Sequence, residues 1–297
     1  MATQGRPRVF RSLWGAAQPW EELLPALRAA GFAGVEASLA DIGAPDTARF
    51  VRLLRASGLV WICGLYSSWT DYVGKWERLP PAQHLANLRA QIVALQAIPE
   101  PPIHINCHTG SDAFSIDESV ELFVGVAALQ RELALAVPLS HETHRGRSLY
   151  SPWVALEIVR RVPDLLVTLD VSHWHVVCER LLEPADIAAI IERTAHVHAR
   201  VASPQQPQIP DPRDPDAAAL VAAHDAIWRA AFERGVRPAG RPFATLTPEY
   251  GPPEDGYMPR IVHYQDGVKT TKTTVRQLDE LIIDEGHRLV DMLLDTK

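Results

Sequence analysis

Cysteine is scarce in this chain: three among 297 residues, at 63, 107 and 178, odd in number, far apart and set in apolar surroundings. Each reads as a buried free thiol rather than a reactive one. A basic surplus is also missing, since 29 Lys and Arg face 36 Asp and Glu, for a formal net charge of -7. Without a basic stripe to displace counterions, nucleic-acid backbones are poor partners, and an anionic membrane surface offers no attraction. No apolar run reaches the roughly 18 residues of a membrane span, and the polar amino terminus lacks the apolar core of a secretion signal. A soluble cytoplasmic protein is therefore expected, with no membrane and no nucleic acid among its partners. Finally, no Gly-x-Gly-x-x-Gly follows the first expected strand, so nothing points to a dinucleotide-binding fold.

What is present centres on the middle of the chain. Leu165, Val167, Leu169 and Val171 alternate with Leu166, Thr168, Asp170 and Ser172, the period of two of a strand, and His173 follows. A carboxylate and an imidazole at a strand end, just past apolar layers, are what a (β/α) barrel presents at its active face. Further strands are expected at 9–14, 32–36, 59–65, 103–108, 137–142, 195–200 and 243–249. Helices are expected at 21–30, 46–56, 81–97, 116–135, 152–161, 184–193, 217–234 and 275–294. Eight strands and eight helices in strict alternation argue for an α/β fold, a (β/α)8 TIM barrel, as a single domain over 1–297; an open doubly wound sheet is the alternative. The proline-rich segment 203–216 and the segment 251–274 fall outside the alternation. Both leave the active end, as lids or as surface packing.

The polar strand ends carry the chemistry. Glu142, Asp170 and His198 recur at 28 residues, from 142 to 170 and from 170 to 198, and Glu249 follows after the proline-rich insertion. A βα unit of a barrel takes about 30 residues, so side chains repeating at that interval stand at one height on successive strands and converge. Three carboxylates in a confined mouth raise one another's pKa, a conflict that a divalent cation removes. Glu142, Asp170, His198 and Glu249 are thus the expected ligands of one metal ion. Three oxygen donors and one nitrogen suit Mn²⁺ best, with Mg²⁺, Co²⁺ or Zn²⁺ as other candidates.

These pieces resemble the xylose-isomerase-like barrel superfamily, in particular its sugar phosphate isomerase/epimerase branch. The likeness rests on Gly31-Phe32-Ala33-Gly34-Val35-Glu36, Asn106-Cys107-His108-Thr109-Gly110, His141-Glu142-Thr143-His144-Arg145-Gly146-Arg147, Asp170-Val171-Ser172-His173, His196-Val197-His198-Ala199-Arg200 and Pro248-Glu249-Tyr250-Gly251-Pro252. They span nearly the whole chain in the family's order, and Asp-x-x-His followed by His-x-His-x-Arg is the most specific. The resemblance implies metal ligation by Glu142, Asp170, His198 and Glu249. It makes Glu142 and Glu249 the proton-moving catalytic pair, puts His173 near the substrate oxygens, and has Arg200 hold a substrate hydroxyl or carboxylate. One departure stands out: where ketose 3-epimerases carry a second glutamate six residues after the first, this chain has Ser148, with His144, Arg145 and Arg147 nearby. That suggests a more anionic or differently shaped substrate.

The expected activity is isomerisation or epimerisation of a small sugar or related polyhydroxy carbonyl compound through a metal-stabilised enediolate. His108 and His144 are candidate donors to substrate hydroxyls, Arg147 a candidate substrate-binding cation, and Trp14, Tyr66 and Trp69 a candidate apolar wall. The same site serves a lyase if the enediolate loses a leaving group. An endonuclease-like hydrolase, with His108 and Glu36 serving extra ions, conflicts with the acidic balance, and a non-catalytic metabolite-binding barrel is a further alternative. Barrels of this type often form dimers or tetramers, so homo-oligomerisation is left open. Apolar residues around Trp69, Tyr72 and Trp76 leave room for a partner subunit.

Overall fold

A computed structural model describes residues 7–68, 77–236, 244–257, 262–265, 268–271 and 275–295. Eight strands, β1 (Arg8–Ser12), β2 (Gly34–Ser38), β3 (Val60–Tyr66), β4 (His104–His108), β5 (Leu139–Glu142), β6 (Val167–Leu169), β7 (Thr194–Ala199) and β8 (Thr245–Pro248), close into a barrel in chain order. All neighbours are parallel, and the seam between β8 and β1 pairs Arg8 with Thr245 and Val9 with Leu246. The barrel expected from the alternation is therefore what forms. Its helices are α1 (Trp20–Ala29), the short α2 (Leu39–Ile42), α3 (Thr47–Ser57), α4 (Pro81–Gln96), α5 (Ile116–Glu132), α6 (Pro152–Arg161), α7 (Val171–Val177), α8 (Ala188–Ile191), α9 (Ala218–Ala231) and α10 (Val275–Leu294). No helix among the described residues is long and apolar enough to cross a membrane.

Local chemistry sets the element ends. Ser115 and Glu118 form a reciprocal capping box at the start of α5, satisfying two backbone N–H groups that the first turn leaves open. Gly58 ends α3 in the left-handed conformation at φ 63°. Arg11 of β1 is buried and pairs with Asp279 of α10 at 2.7 Å, tying the closing helix to the first strand.

Besides the added short helix α2, three elements differ from expectation. The central strand is only Val167–Leu169, because the Asp170 side chain accepts the Ser172 N–H at 2.9 Å and caps α7 instead of continuing the sheet. The helix expected at 184–193 shrinks to α8, since the Asp186 carboxylate accepts the Glu183 N–H and holds a turn there. A further antiparallel hairpin, β9 (Val262–Gln265) with β10 (Val268–Thr271), lies within the segment read only as an insertion.

The barrel interior also departs from the apolar layers expected beneath the site. The odd-numbered Val35, Ala37, Ile105, Cys107, Val167, Leu169 and Val197, with the even-numbered Leu246, join the apolar cluster shared with the helices. The opposite face carries Glu36, His104, Asn106, Ser140, Glu142, Thr168, His196, His198, Thr245 and Thr247, all buried. These meet one another across the lumen: His104 contacts Ser140 at 2.7 Å, Ser140 contacts Thr168 at 2.5 Å, and the His104 and His196 rings lie 5.5 Å apart. Burying such groups is tolerable only because they satisfy one another.

Cys63 and Cys107 are buried and Cys178 half-buried, all as free thiols, and burial pushes the Cys107 thiol up to about 12. Other buried groups make the fold acid-sensitive. His141 lies edge-on to Phe123 outside the barrel wall, while His175 and His224 sit behind β7 with ring nitrogens 3.2 Å apart. Burial lowers their pKa values to about 3, about 2 and about 4 respectively. An unfolded histidine titrates near 6.5, so below that pH the unfolded chain binds protons that the folded chain refuses. Their contribution is complete above about pH 6.5 and is lost as pH falls toward 4, at up to about 1.4 kcal/mol per unit for each ring. Urea unfolding at pH 7.5, 6 and 5 should show a steep decline, less steep in a His224→Gln variant; equal stability at pH 7.5 and 5 would contradict this.

Candidate metal and active site

A cavity of about 550 Å³ opens at the carboxyl ends of the strands, where its lining includes Trp14, Glu36, Tyr66, Asn106, His108, Glu142, His144, His198, Arg200, Glu249 and Tyr257. Each of the four expected ligands comes from the end of its own strand. Glu142 closes β5, Asp170 follows β6, His198 is the penultimate residue of β7, and Glu249 follows β8. Ligand atoms of all four lie within 4.8 Å of one another, so side chains spread over more than a hundred residues converge. His198 Nδ1 is 3.5 Å from Glu142 Oε2 and 3.5 Å from Glu249 Oε1. Two overlapping groups of donors adjoin this one: His108, Glu142 and His144; and Glu36, His196 and His198.

The electrostatics suit a cation. Burial, together with the charges of Glu249 and Glu142, pushes the Asp170 carboxyl up to about 6 against the pull of Arg200. Burial likewise opposes ionisation of Glu142 and Glu249. Their partners win there: His108 and His198 hold Glu142 below the usual carboxylate range, and His198 and Arg200 do the same for Glu249. Glu142 Oε1 and His198 Nδ1 are buried and accept or donate no hydrogen bond among the described residues. A divalent ion would satisfy Glu142 Oε1 and replace the long contacts of His198 Nδ1 to the two glutamates, and the set of three oxygens and one nitrogen fits the hard or borderline ions named above.

The remaining expected residues divide. His108 donates from Nε2 toward Glu142 Oε2 at 2.9 Å and stacks on Tyr66 with centroids 4.4 Å apart, while His144 lies 5.1 Å from the His108 ring. Both line the cavity, as do Trp14 and Tyr66. Arg200 lines it too but is largely engaged. Its Nη2 meets Asp170 Oδ2 at 2.7 Å, its Nε donates to Ser172 Oγ at 3.0 Å, and Nη1 stands 3.6 Å from Glu249 Oε2. His173 is fully buried behind this pair, its Nε2 2.8 Å from Arg200 Nη2 and its ring 3.7 Å from that of His144, so it braces the site and does not line it. Arg147 is not among the lining residues either; it is buried and reaches the Gly110 carbonyl at 3.4 Å. Ser148 is likewise buried, bonded to Ser119 at 3.1 Å, and leaves no cationic or acidic group in the cavity at that position.

Sequence reasoning missed several contributors. Asn106 donates to Glu142 Oε2 at 2.7 Å, a role foreshadowed only by its place between His104 and His108. Tyr257 and Asp255 form part of the cavity wall: the Trp14 indole N–H donates to Asp255 at 2.7 Å and its ring meets Tyr257 edge-on at 4.7 Å. Gly251 is needed here, because a Cβ would fall 2.2 Å from the Trp14 ring. The two insertions are also joined, Gln208 donating to the Gly251 carbonyl and accepting the Gly251 N–H at 2.7 Å. The wall is thus a braced surface where the insertions meet. Trp69, Tyr72 and Trp76 lie outside the described residues.

No family model matches the sequence, and no curated protein does. The structure is similar to solved barrels at low identity. A xylose isomerase domain containing protein from Salmonella typhimurium LT2 is 14% identical, with 99% of this chain and 100% of that one covered at a TM-score of 0.59. A D-allulose 3-epimerase from a Methylomonas species, in complex with D-allulose, is 14% identical over 99% of this chain and 97% of its own, at 0.58. A probable 3-DHS dehydratase from Bacillus anthracis is 14% identical over 84% and 95%, at 0.55. At such identity the likeness shows the shared eight-stranded barrel fold alone.

Proposed function

We propose that this protein is a divalent-metal-dependent isomerase or epimerase of a small sugar or related polyhydroxy carbonyl compound. The observation that carries the reading is the convergence of Glu142, Asp170, His198 and Glu249 on one point of the cavity, with Glu142 Oε1 buried there without a hydrogen bond. These four residues would hold one cation, Mn²⁺ by preference. When bound, it supplies positive charge against the oxyanion that develops as a proton leaves the carbon beside a carbonyl.

The chain's own residues supply the rest. Glu142 and Glu249 carry the proton chemistry, one carboxylate removing the proton and the other returning it from its own side. Asn106 and His108 both bond Glu142 Oε2, which directs Oε1 as the oxygen left for other work. Arg200 keeps Asp170 ionised at a position where burial would otherwise protonate it, and borders the substrate space from the β7 side. His108 and His144 border the space for substrate hydroxyls, and Trp14, Tyr66 and Tyr257 offer ring surfaces to the carbon chain. Support for a sugar substrate comes from the likeness to the D-allulose 3-epimerase.

The likeness to the probable dehydratase favours one second reading. The same proton abstraction with a leaving group on the next carbon gives elimination, and product analysis separates the two outcomes. A panel of 2-keto and 3-keto sugars in deuterium oxide tests both. Incorporation at the carbon next to the carbonyl is expected with Mn²⁺-loaded protein and should be abolished by chelation and restored by Mn²⁺. Ligand binding without exchange or turnover, unaffected by Glu249→Gln, would instead indicate a non-catalytic barrel.

A further inference from the structure

Glu36 sits on β2, on the far side of the lumen from β7, and none of the four convergent ligands comes from its strand. It is 6% exposed, and both of its carboxylate oxygens are occupied by the barrel interior. His198 Nε2 lies 3.0 Å from Glu36 Oε1. Thr247 Oγ1 donates to Glu36 Oε2 at 2.6 Å, and His196 Nε2 approaches that same oxygen at 3.4 Å. His196 in turn contacts Thr247 at 3.2 Å through Nε2 and Thr245 at 2.8 Å through Nδ1.

The donor and acceptor roles in this row follow from one end. An ionised carboxylate can only accept, so Thr247 and His198 must both donate to Glu36. With its proton committed to Glu36, Thr247 accepts from His196 Nε2–H. On its other side the His196 ring is held by Thr245 through Nδ1. At the other end, His198 is committed to carrying hydrogen on Nε2. The ring nitrogen left to face Glu142 and Glu249 is Nδ1, the atom that makes no hydrogen bond among the described residues.

We infer that Glu36 is a positioning residue for the metal centre: held by Thr247 and His196, it fixes the ring of His198 so that Nδ1 is presented to the cation. The inference rests on the metal reading above and adds a residue to it. Histidine ligands usually give their second ring N–H to a carboxylate or carbonyl, and losing that partner typically weakens metal affinity by about 10- to 100-fold. Here the partner is contributed from across the barrel. Glu36 also lines the cavity, yet both of its oxygens are engaged within the protein, which separates its role from that of a further ligand.

The test compares Mn²⁺ affinity, by calorimetry or by the loss of the free-ion paramagnetic resonance signal, in wild type, Glu36→Gln and Glu36→Leu. Glutamine keeps an acceptor for Nε2–H without the charge, and leucine keeps neither. Glu36→Leu is expected to weaken Mn²⁺ binding by about 10- to 100-fold. Glu36→Gln should recover a large part of that loss, and both variants should give the far-ultraviolet spectrum of the folded barrel. In Zn²⁺-loaded protein labelled with ¹⁵N at histidine, the His198 Nε2–H should appear as a downfield, slowly exchanging proton. It should persist in Glu36→Gln and vanish in Glu36→Leu. Wild-type affinity in Glu36→Leu overturns the inference. Equal losses in the two variants also overturn it, since the effect would then be one of charge and not of ring orientation. Should Glu36→Leu fail to fold, the comparison of Glu36→Gln with wild type still decides: more than about a 100-fold loss, beyond the range for a missing partner, sinks the positioning role. If the wild type itself binds no divalent ion, the reading of the site fails, a result distinguishable from all of these.

Discussion

Replacing Glu142 by glutamine is expected to abolish Mn²⁺ binding at micromolar concentrations and to lower kcat/KM by at least about 10³, the upper range for loss of a proton-transfer group. Glu142 carries both functions: one oxygen is bonded to Asn106 and His108, and the other is buried without a partner. Glutamine keeps the volume and can still accept from Asn106 through its carbonyl oxygen, so thermal unfolding of the metal-free variant should stay within a few degrees of wild type. Metal titration and solvent-deuterium exchange on the same preparation make the comparison. Full metal occupancy with unchanged exchange would remove Glu142 from the mechanism and, with it, the present account of the site.

The second large effect is on stability. The Arg200 guanidinium is 1% exposed and is the close cationic partner of the buried Asp170, at 2.7 Å. Burial works against its charge, but Asp170 and Glu249 raise its pKa well beyond the ordinary arginine value. Arg200→Met would leave Asp170 buried without its close cation, a situation that costs about 3–5 kcal/mol. Two additions sharpen the test. Arg200→Met/Asp170→Asn should recover much of the loss, because the uncompensated charge is gone. Saturating Mn²⁺ should also recover part of it, since a ligand bound only by the folded state stabilises that state. Arg200→Lys should be intermediate, as an ammonium cannot reach Asp170 and Ser172 with the same planar fork. A loss below about 1 kcal/mol in Arg200→Met, the range of an exposed ion pair, would show that the pair does not carry the site.

Legibility varied residue by residue. The 28-residue interval from Glu142 to Asp170 to His198 needs only the length of a βα unit, and the structure brings those residues together with Glu249. Val171 continues the apolar alternation of the central strand, but the Asp170 side chain accepts the Ser172 N–H and starts α7 there. The polar lumen was already written in the alternating positions of His104, Ser140, Thr168, His196 and Thr245. A parallel sheet covered on both faces ordinarily shows continuous apolar runs, and that departure was the available signal. Arg147 is a candidate substrate group because it stands near Ser148, where the resembling family carries a second glutamate; the structure turns it toward the Gly110 backbone, a direction that a linear sequence does not contain.

The sequence by itself determined the eight-fold alternation, the heights of the polar strand ends, and therefore which carboxylates and which imidazole share a level of the barrel. Those properties follow from local periodicity and from the length of one repeating unit. Only the tertiary structure decided that Glu36 meets His198, 162 positions away, that Arg200 neutralises Asp170 while His173 stays behind it, and that Gln208 ties one insertion to the other. Contacts across a lumen depend on how the sheet closes and on which rotamers fill the enclosed space, and a linear pattern of residues contains neither.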